Sequence, residues 1–483
     1  MHRSVAVLAI AIVALATGSG NSALAGSGQT GPKQLSGSSP FADCAPGAID
    51  SSKADGAIEP QLAADPSRPR RMVAVWPQDR QRGVVIAVTD NGGASWRRSV
   101  VPNLTRCSGG RYDYVDDPTA TFTADGDLVV AGSLTMADRS ASAAASVHST
   151  DGGRTWALPA VIAEETDSVT NGAVLAGPIA ADPHNRNVLY AVTPRFPVQE
   201  RSRNHANISR STDGGRSWGP ARLMVDAGEQ HIASGHRLTV LGDGTLLDVY
   251  SLVDFRTSPS TKTLRAVRST DSGLSWTAPI PVADLRTKFL FQDPESGEQV
   301  SHTTSLLADT GQDPRTGRLY VAWQDSRFTD GAADSIALAS SADNGLTWSE
   351  PVKVNRTPSG IPFGNQQAFT VSLDVAPDGT LGISHSDFRH NDARTPLFTD
   401  RWLLRCRPQP AGCAHPAAHW RETRLTPNSF DMRQAPRIPD ETSPRGYFLG
   451  EQMGLVATGH RFASVWAQPA QPGTAAVHAT TTW

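Results

Sequence analysis

The sequence predicts an all-β protein, a β-propeller of four-stranded antiparallel blades with seven repeats. Three observations predict it. A Ser/Thr-x-Asp-x-Gly-x-x-Trp segment or near variant recurs five times, a tight turn between apolar strands recurs seven times, and the Gly- and Pro-rich composition favours turns and short strands over long helices.

The recurring segments are Val88-Thr-Asp-Asn-Gly-Gly-Ala-Ser-Trp96, Ser149-Thr-Asp-Gly-Gly-Arg-Thr-Trp156, Ser211-Thr-Asp-Gly-Gly-Arg-Ser-Trp218, Ser269-Thr-Asp-Ser-Gly-Leu-Ser-Trp276 and Ser341-Ala-Asp-Asn-Gly-Leu-Thr-Trp348. A carboxylate that accepts turn N–H groups, a Gly with positive φ and a Trp packed beneath describe a hairpin turn. These acids are therefore expected to be structural. The seven tight turns lie at Asp65-Pro66, Ala124-Asp-Gly126, Asp182-Pro183, Gly242-Asp-Gly244, Asp313-Pro314, Pro377-Asp-Gly379 and Thr458-Gly-His460. Repeats six and seven lack a full box, but Trp420 and Trp483 fall in its place.

Each unit reads as strand, turn, strand, loop, strand, box, strand. In repeat five the strands are expected at Thr304–Ala308, Leu319–Trp323, Ser335–Ser340 and Glu350–Val354. The last unit reaches Trp483 after three strands. Its fourth is expected from the N-terminal arm within Phe41–Ile58, which would close the ring and remove exposed edges. Residues 41–483 are then one propeller domain, and Gly26–Pro40 reads as a flexible leader.

The first 25 residues read as an export signal: Arg3, an apolar run from Val5 to Ala16, and a small-x-small site at Ala23-Leu24-Ala25, with cleavage expected after Ala25. The run is too short for a membrane span, so a secreted protein is expected. Four cysteines in an exported chain suggest disulfides, with three possible connectivities. Cys406 and Cys413 flank a short loop, and pairing them leaves Cys44 with Cys107. A net charge of −3 gives no case for nucleic acid as a partner. No cofactor or metal site is expected, and a monomer is expected.

In such blades the start of the first strand and the end of the second meet on one face around the axis, opposite the boxes. Second strands end in Trp76-Pro-Gln-Asp79-Arg80, Ala137-Asp138-Arg139, Asp254-Phe-Arg256, Trp323-Gln-Asp325-Ser-Arg327 and Ser386-Asp387-Phe-Arg389. Arg80, Arg256, Arg327, Arg389 and Arg445 are candidates to hold an acidic sugar through guanidinium forks. A competing reading makes them interface residues, with the Asp of one blade pairing the Arg of its neighbour. Residues that break the repeat are the better catalytic candidates: Glu59, the run Tyr112-Asp-Tyr-Val-Asp-Asp117, His231, His236, Arg445-Gly-Tyr447 and Glu451. His231 and His236 lack a third metal ligand.

The boxes and the repeats that carry them, over Glu59 to Trp483, resemble the bacterial sialidase superfamily. The resemblance implies a six-bladed propeller, against seven units counted here, and retaining cleavage of terminal sialic acid. It also implies a Tyr nucleophile helped by a Glu, an Asp acid/base and three arginines. Tyr447 matches the nucleophile's place loosely, Asp117 the acid/base, and Glu59 and Glu451 are further acids on that face. The family's first arginine, in a Phe/Tyr-Arg-Ile-Pro motif, is replaced here by Ala57-Ile-Glu59-Pro60, while Arg437-Ile-Pro439 stands near the other end. Three functions compete: a secreted sialidase-like glycoside hydrolase, a non-catalytic propeller binding a glycan or protein, and a polysaccharide lyase using His236 or Tyr447.

Overall fold

The computed structural model describes residues 31–44, 56–79, 81–196, 204–287, 291–293, 295–300, 307–392, 397–407, 409–437 and 446–482. The export signal and the Arg80 and Arg445 side chains lie outside these residues.

Seven antiparallel sheets follow one another along the chain. Blade one has strands Gln61–Asp65, Arg68–Gln78, Gly83–Thr89 and Arg97–Val100. Blade two has Tyr114–Phe122, Leu128–Thr135, Ser142–Ser149 and Ala160–Glu165. Blade three has Ile179–Ala181, supplemented by Ala173–Val174, then Leu189–Phe196, Asn204–Ser211 and Arg222–Gly228. Blade four has His231–Val240, Leu246–Asp254, Thr261–Ser269 and Ile280–Asp284. Blade five has Asp309–Gln312, Leu319–Asp325, Ser335–Ser341 and Val352–Lys353. Blade six has Ala368–Val375, Leu381–Asp387, Phe398–Cys406 and Trp420–Arg424, with Phe430–Asp431 beside its third strand. Blade seven has Gly454–Thr458, Arg461–Pro469 and Ala475–Thr482, and takes its outer strand from Lys33–Gln34. The count is seven blades, not six.

Second strands are nearly continuous apolar runs, such as Met72–Trp76 and Leu189–Val192, because both of their faces press on neighbouring blades. The core is accordingly a set of clusters between blades. Val73 and Ile86 of blade one pack with Val115 and Leu128 of blade two. At the seam, Trp76 and Val85 of blade one meet Val465 and Val477 of blade seven.

The seam corrects one expectation. The N-terminal arm pairs with the last strand of blade seven through Lys33–Gln34, opposite Ala479 and His478, upstream of the expected Phe41–Ile58, of which Ala57 donates to the Ala475 carbonyl and residues 45–55 lie outside the described residues. Part of the expected flexible leader is thus an edge strand. Downstream of it the arm crosses to blade one, where Phe41 fills the space that a Cβ on Gly83 would need. In blade five the inner strand described is Asp309–Gln312, while residues 304–306 of the expected Thr304–Ala308 lie outside the described residues. Residues 313–317 form the turn that follows it.

Both disulfides form as paired, Cys44–Cys107 and Cys406–Cys413. The boxes are turns as expected. In box two the Asp151 carboxylate accepts N–H bonds from Arg154 and Thr155 and a hydroxyl bond from Thr155, while the Ser149 hydroxyl accepts from Gly153. Asp213, Asp271 and Asp343 repeat the pattern. In box one the acceptor is Asn91, bonded to Ser95 N–H at 2.9 Å. The hydroxyl of Ser275 and its backbone N–H hold Asp271 down at about 2. The box and first turn share a face: Asn344 of box five bonds Asp243 in the first turn of blade four.

Candidate functional site

The opposite face gathers a group of acids where blades one, two and seven meet. Glu59 immediately precedes the inner strand of blade one, and Asp116 and Asp117 lie in that of blade two. The inner strand of blade two shifts register between Asp116 and Thr119. Glu59 and Asp117 each adopt positive φ, 51° and 46°, directly before a proline. Left-handed backbone in non-Gly residues is strained. The same place in blade six is Thr370 at 49°, and in blade four Gly235 at 65°. The kinked inner strand is thus a recurring device, and in blades one and two it carries carboxylates.

One oxygen from each of Glu59, Asp116 and Asp117 lies within 4.8 Å of the others, so these three residues could hold a divalent cation. The sequence offered no ligand spacing for this, because the three come from two blades. Glu451 approaches from blade seven, and its N–H donates to Glu59 Oε1 at 3.1 Å. Glu59 is 8% exposed. Burial, then the charges of Asp116, Asp117 and Glu451, push its carboxyl well above the ordinary range. Gly450 permits the approach, since a Cβ there would stand 2.2 Å from the Glu59 side chain.

A polar lattice continues inward. The Gln452 carbonyl oxygen accepts from Gln61 at 2.7 Å and from Arg237 at 3.1 Å, and Arg237 pairs with Asp309 at 3.5 Å. Asp309 accepts the Leu373 N–H of blade six, and Asp374 of blade six accepts the Ala457 N–H of blade seven. Carboxylates of one blade thereby satisfy inner-edge N–H groups of the next. Burial raises Asp374 to about 6.

Tyr447 lies near the start of blade seven. It precedes the blade-seven inner strand and bridges Val300 and Arg437. Its hydroxyl accepts from Arg437 at 3.3 Å, and Arg437 pairs with Glu298 at 2.6 Å. Burial raises the phenol's pKa, with the Arg437 bond opposing and Glu298 adding to the rise. Glu298 belongs to a short hairpin, Phe291–Gln292 with Gln299–Val300, between blades four and five. Arg433 clamps the same hairpin through Asp293 at 2.6 Å. The sequence reading missed Glu298, Gln452, Arg237 and Asp309. It noticed Arg437 only as a misplaced motif.

Among the described residues the candidate arginines Arg256, Arg327 and Arg389 are already engaged. Arg256 grips Asp254 through two bonds of 2.9 and 2.7 Å, Arg327 grips Asp325, and Arg389 grips Asp387 and Glu422 while lying 3.8 Å from the Trp402 ring centre. The expected pairing of Asp with the neighbouring blade's Arg is corrected. The chain turns back after these strand ends, so Asp254, Asp325 and Asp387 each pair with the Arg two residues on. His231 and His236 do not converge: His236 is buried against Asp248 at 2.7 Å, and His231 faces Asp254 at 3.5 Å.

Fold and site define a seven-bladed β-propeller with an acidic axial mouth. No model of a known protein family matches the chain. It is similar to the solved α-L-arabinanase of Penicillium chrysogenum complexed with arabinobiose, at 17% identity over 74% of this chain and 93% of that one, TM-score 0.48. It is also similar to a Hadza microbial sialidase, at 14% identity over 85% and 73%, TM-score 0.48. A mutant sialidase from Streptococcus pneumoniae is similar at 11% identity over 85% and 83%, TM-score 0.46. Among the described residues no helix is long and apolar enough to cross a membrane.

Proposed function

We propose that the chain is a glycoside hydrolase acting at the axial mouth, with Glu59 as general acid and Asp117 as its carboxylate partner. The observation that carries this is the convergence of Glu59, Asp116 and Asp117 within 4.8 Å, with the Glu59 carboxyl pushed well above the ordinary range by burial and by its acidic neighbours. A carboxyl with a raised pKa beside a second carboxylate is the arrangement that protonates a glycosidic oxygen and supports the developing cation. The short separation fits retaining more than inverting chemistry, which needs about 6.5–9.5 Å between carboxyls. Strained backbone at Glu59 and Asp117 fits the same role.

The substrate is a neutral sugar. Asp116, Asp117 and Glu451, whose charges act on Glu59, would repel a sugar carboxylate, and Arg256, Arg327 and Arg389 are engaged by their own acids. This reading moves away from the terminal acidic sugar that the sequence suggested, while carbohydrate stays the partner and secretion the setting. One observation favours a second reading. The Tyr447 hydroxyl, held by Arg437 beside Glu298, has the partners a Tyr nucleophile needs.

Purified protein assayed on a panel of aryl glycosides, neutral furanosides and pyranosides beside a sialoside, tests both. Turnover of a neutral glycoside that drops about 10²–10⁴-fold in Glu59→Gln and persists in Tyr447→Phe is the expected result. Loss in Tyr447→Phe with turnover of the sialoside supports the second reading. Binding without turnover across the panel contradicts catalysis.

A further inference from the structure

Blade six carries, far from the acidic mouth, a feature that folding alone does not favour. In the pairing of its third and outer strands, Arg405 stands directly opposite Arg421. Like charges directly opposite each other across an antiparallel pair destabilise it. Arg407 follows in the same strand direction, where the chain enters the Cys406–Cys413 loop, and is exposed, as is Arg421. The three repel: Arg405 is pushed below its usual pKa by burial, then by Arg421 and Arg407. None of the three forms an ion pair among the described residues, whereas Glu422 and Asp400, on the other face of the same two strands, hold Arg389 and Arg424. The outer strand Trp420–Arg424 therefore sends its acid, Glu422, to one face and leaves the other face with cations alone.

We propose that Arg405, Arg407 and Arg421 form a binding surface for the carboxylate or sulfate groups of an anionic polysaccharide. Guanidinium forks take such groups bidentately, and an anion bridging the cross-strand pair would relieve its repulsion. The proposal rests on the reading of the protein as glycan-acting: the surface would hold a charged part of a polymer while the axial mouth works on neutral residues. A single-stranded nucleic acid is the less favoured occupant. Such strands are bound by cations interleaved with exposed aromatic platforms, and the one strongly exposed large aromatic residue among those described is Phe363, on the connection into blade six.

The test measures binding of the full-length protein to immobilised heparin and to polygalacturonate, with dextran and a dT oligonucleotide as controls, at low and at physiological salt. Binding to either anionic polysaccharide that weakens with salt, exceeds dextran and the oligonucleotide, and falls at least tenfold in Arg421→Glu is the expected result. Arg421→Glu replaces a like-charge pair by an opposite one, so its melting temperature should hold or rise, which separates lost binding from lost folding. Arg407→Gln, on an exposed side chain, should weaken binding in the same direction. Unchanged binding in both variants, or an oligonucleotide bound as tightly as the polysaccharides, overturns the proposal. Turnover of a small neutral glycoside should be the same in the variants and the parent, so failure of this surface is distinguishable from failure of the active-site reading.

Discussion

Glu59 Oε1 accepts the backbone N–H of Glu451 at 3.1 Å, joining the start of blade one to the approach of blade seven across the seam of the ring. A second bond, from Glu59 N–H to the Leu449 carbonyl at 3.1 Å, doubles the link. Ring closure and placement of the acid are therefore one structural event. Anything that loosens the N-terminal arm should disturb Glu59 as well as stability.

The first prediction follows from that arm. The Cys44–Cys107 disulfide closes a loop spanning 63 residues, against 7 for Cys406–Cys413. On chain entropy, removing the longer closure by Cys44→Ser with Cys107→Ser should cost about 4 kcal/mol, and removing the shorter about 2.5 kcal/mol. Denaturant unfolding of the two double variants checks the order. Equal losses would mean that the arm is held by its strand and by Phe41, with the disulfide adding little.

The second concerns pH. Asp374 has its folded-state pKa raised to about 6, above the ordinary carboxyl value, mainly by burial. A group of this kind binds its proton more tightly when folded, so its contribution to stability grows as pH falls from above 6 toward about 4. Melting curves taken from pH 7.5 to 5 should show a gain that Asp374→Asn reduces. An unaltered pH dependence in the variant would place the titration elsewhere.

A third tests the arginine ring. Arg327 is bound to Asp325 through Nε at 2.8 Å and Nη2 at 2.9 Å and also donates to the Asp284 carbonyl of blade four. Arg327→Ala should cost about 1–3 kcal/mol by leaving the buried Asp325 without its partner. KM for a small glycoside should stay unchanged. A raised KM with unchanged stability would return Arg327 to the binding site that the sequence suggested.

Much of the architecture was legible because its signals are local. A box Asp satisfies N–H groups three and four residues on, so box and turn can be read in one short window, and seven such units imply a ring. Which strand ends gather on the face opposite the boxes followed from strand direction. What the chain could not reveal lies in long-range meetings. Arg437 and Glu298 are 139 residues apart in sequence, and Glu59 and Glu451 are 392 apart. Nothing local marks Glu298 as the partner of Arg437. Arg256, Arg327 and Arg389 misled for the opposite reason: their repeat was visible, but the acid two residues upstream that neutralises each of these three was given to a neighbouring blade. The closing strand escaped because a two-residue edge has almost no pattern of its own.

In the proposed reaction the Glu59 carboxyl at the axial mouth, its pKa raised by burial and by its acidic neighbours, protonates the glycosidic oxygen. The pH dependence of kcat/KM on a neutral aryl glycoside with a poor leaving group, in the parent and in Glu59→Gln, tests it most directly. The parent should lose activity as pH rises through a pKa well above the ordinary carboxyl range, and that alkaline limb should vanish in the variant along with most of the rate. An alkaline limb that survives unchanged in Glu59→Gln would contradict the account.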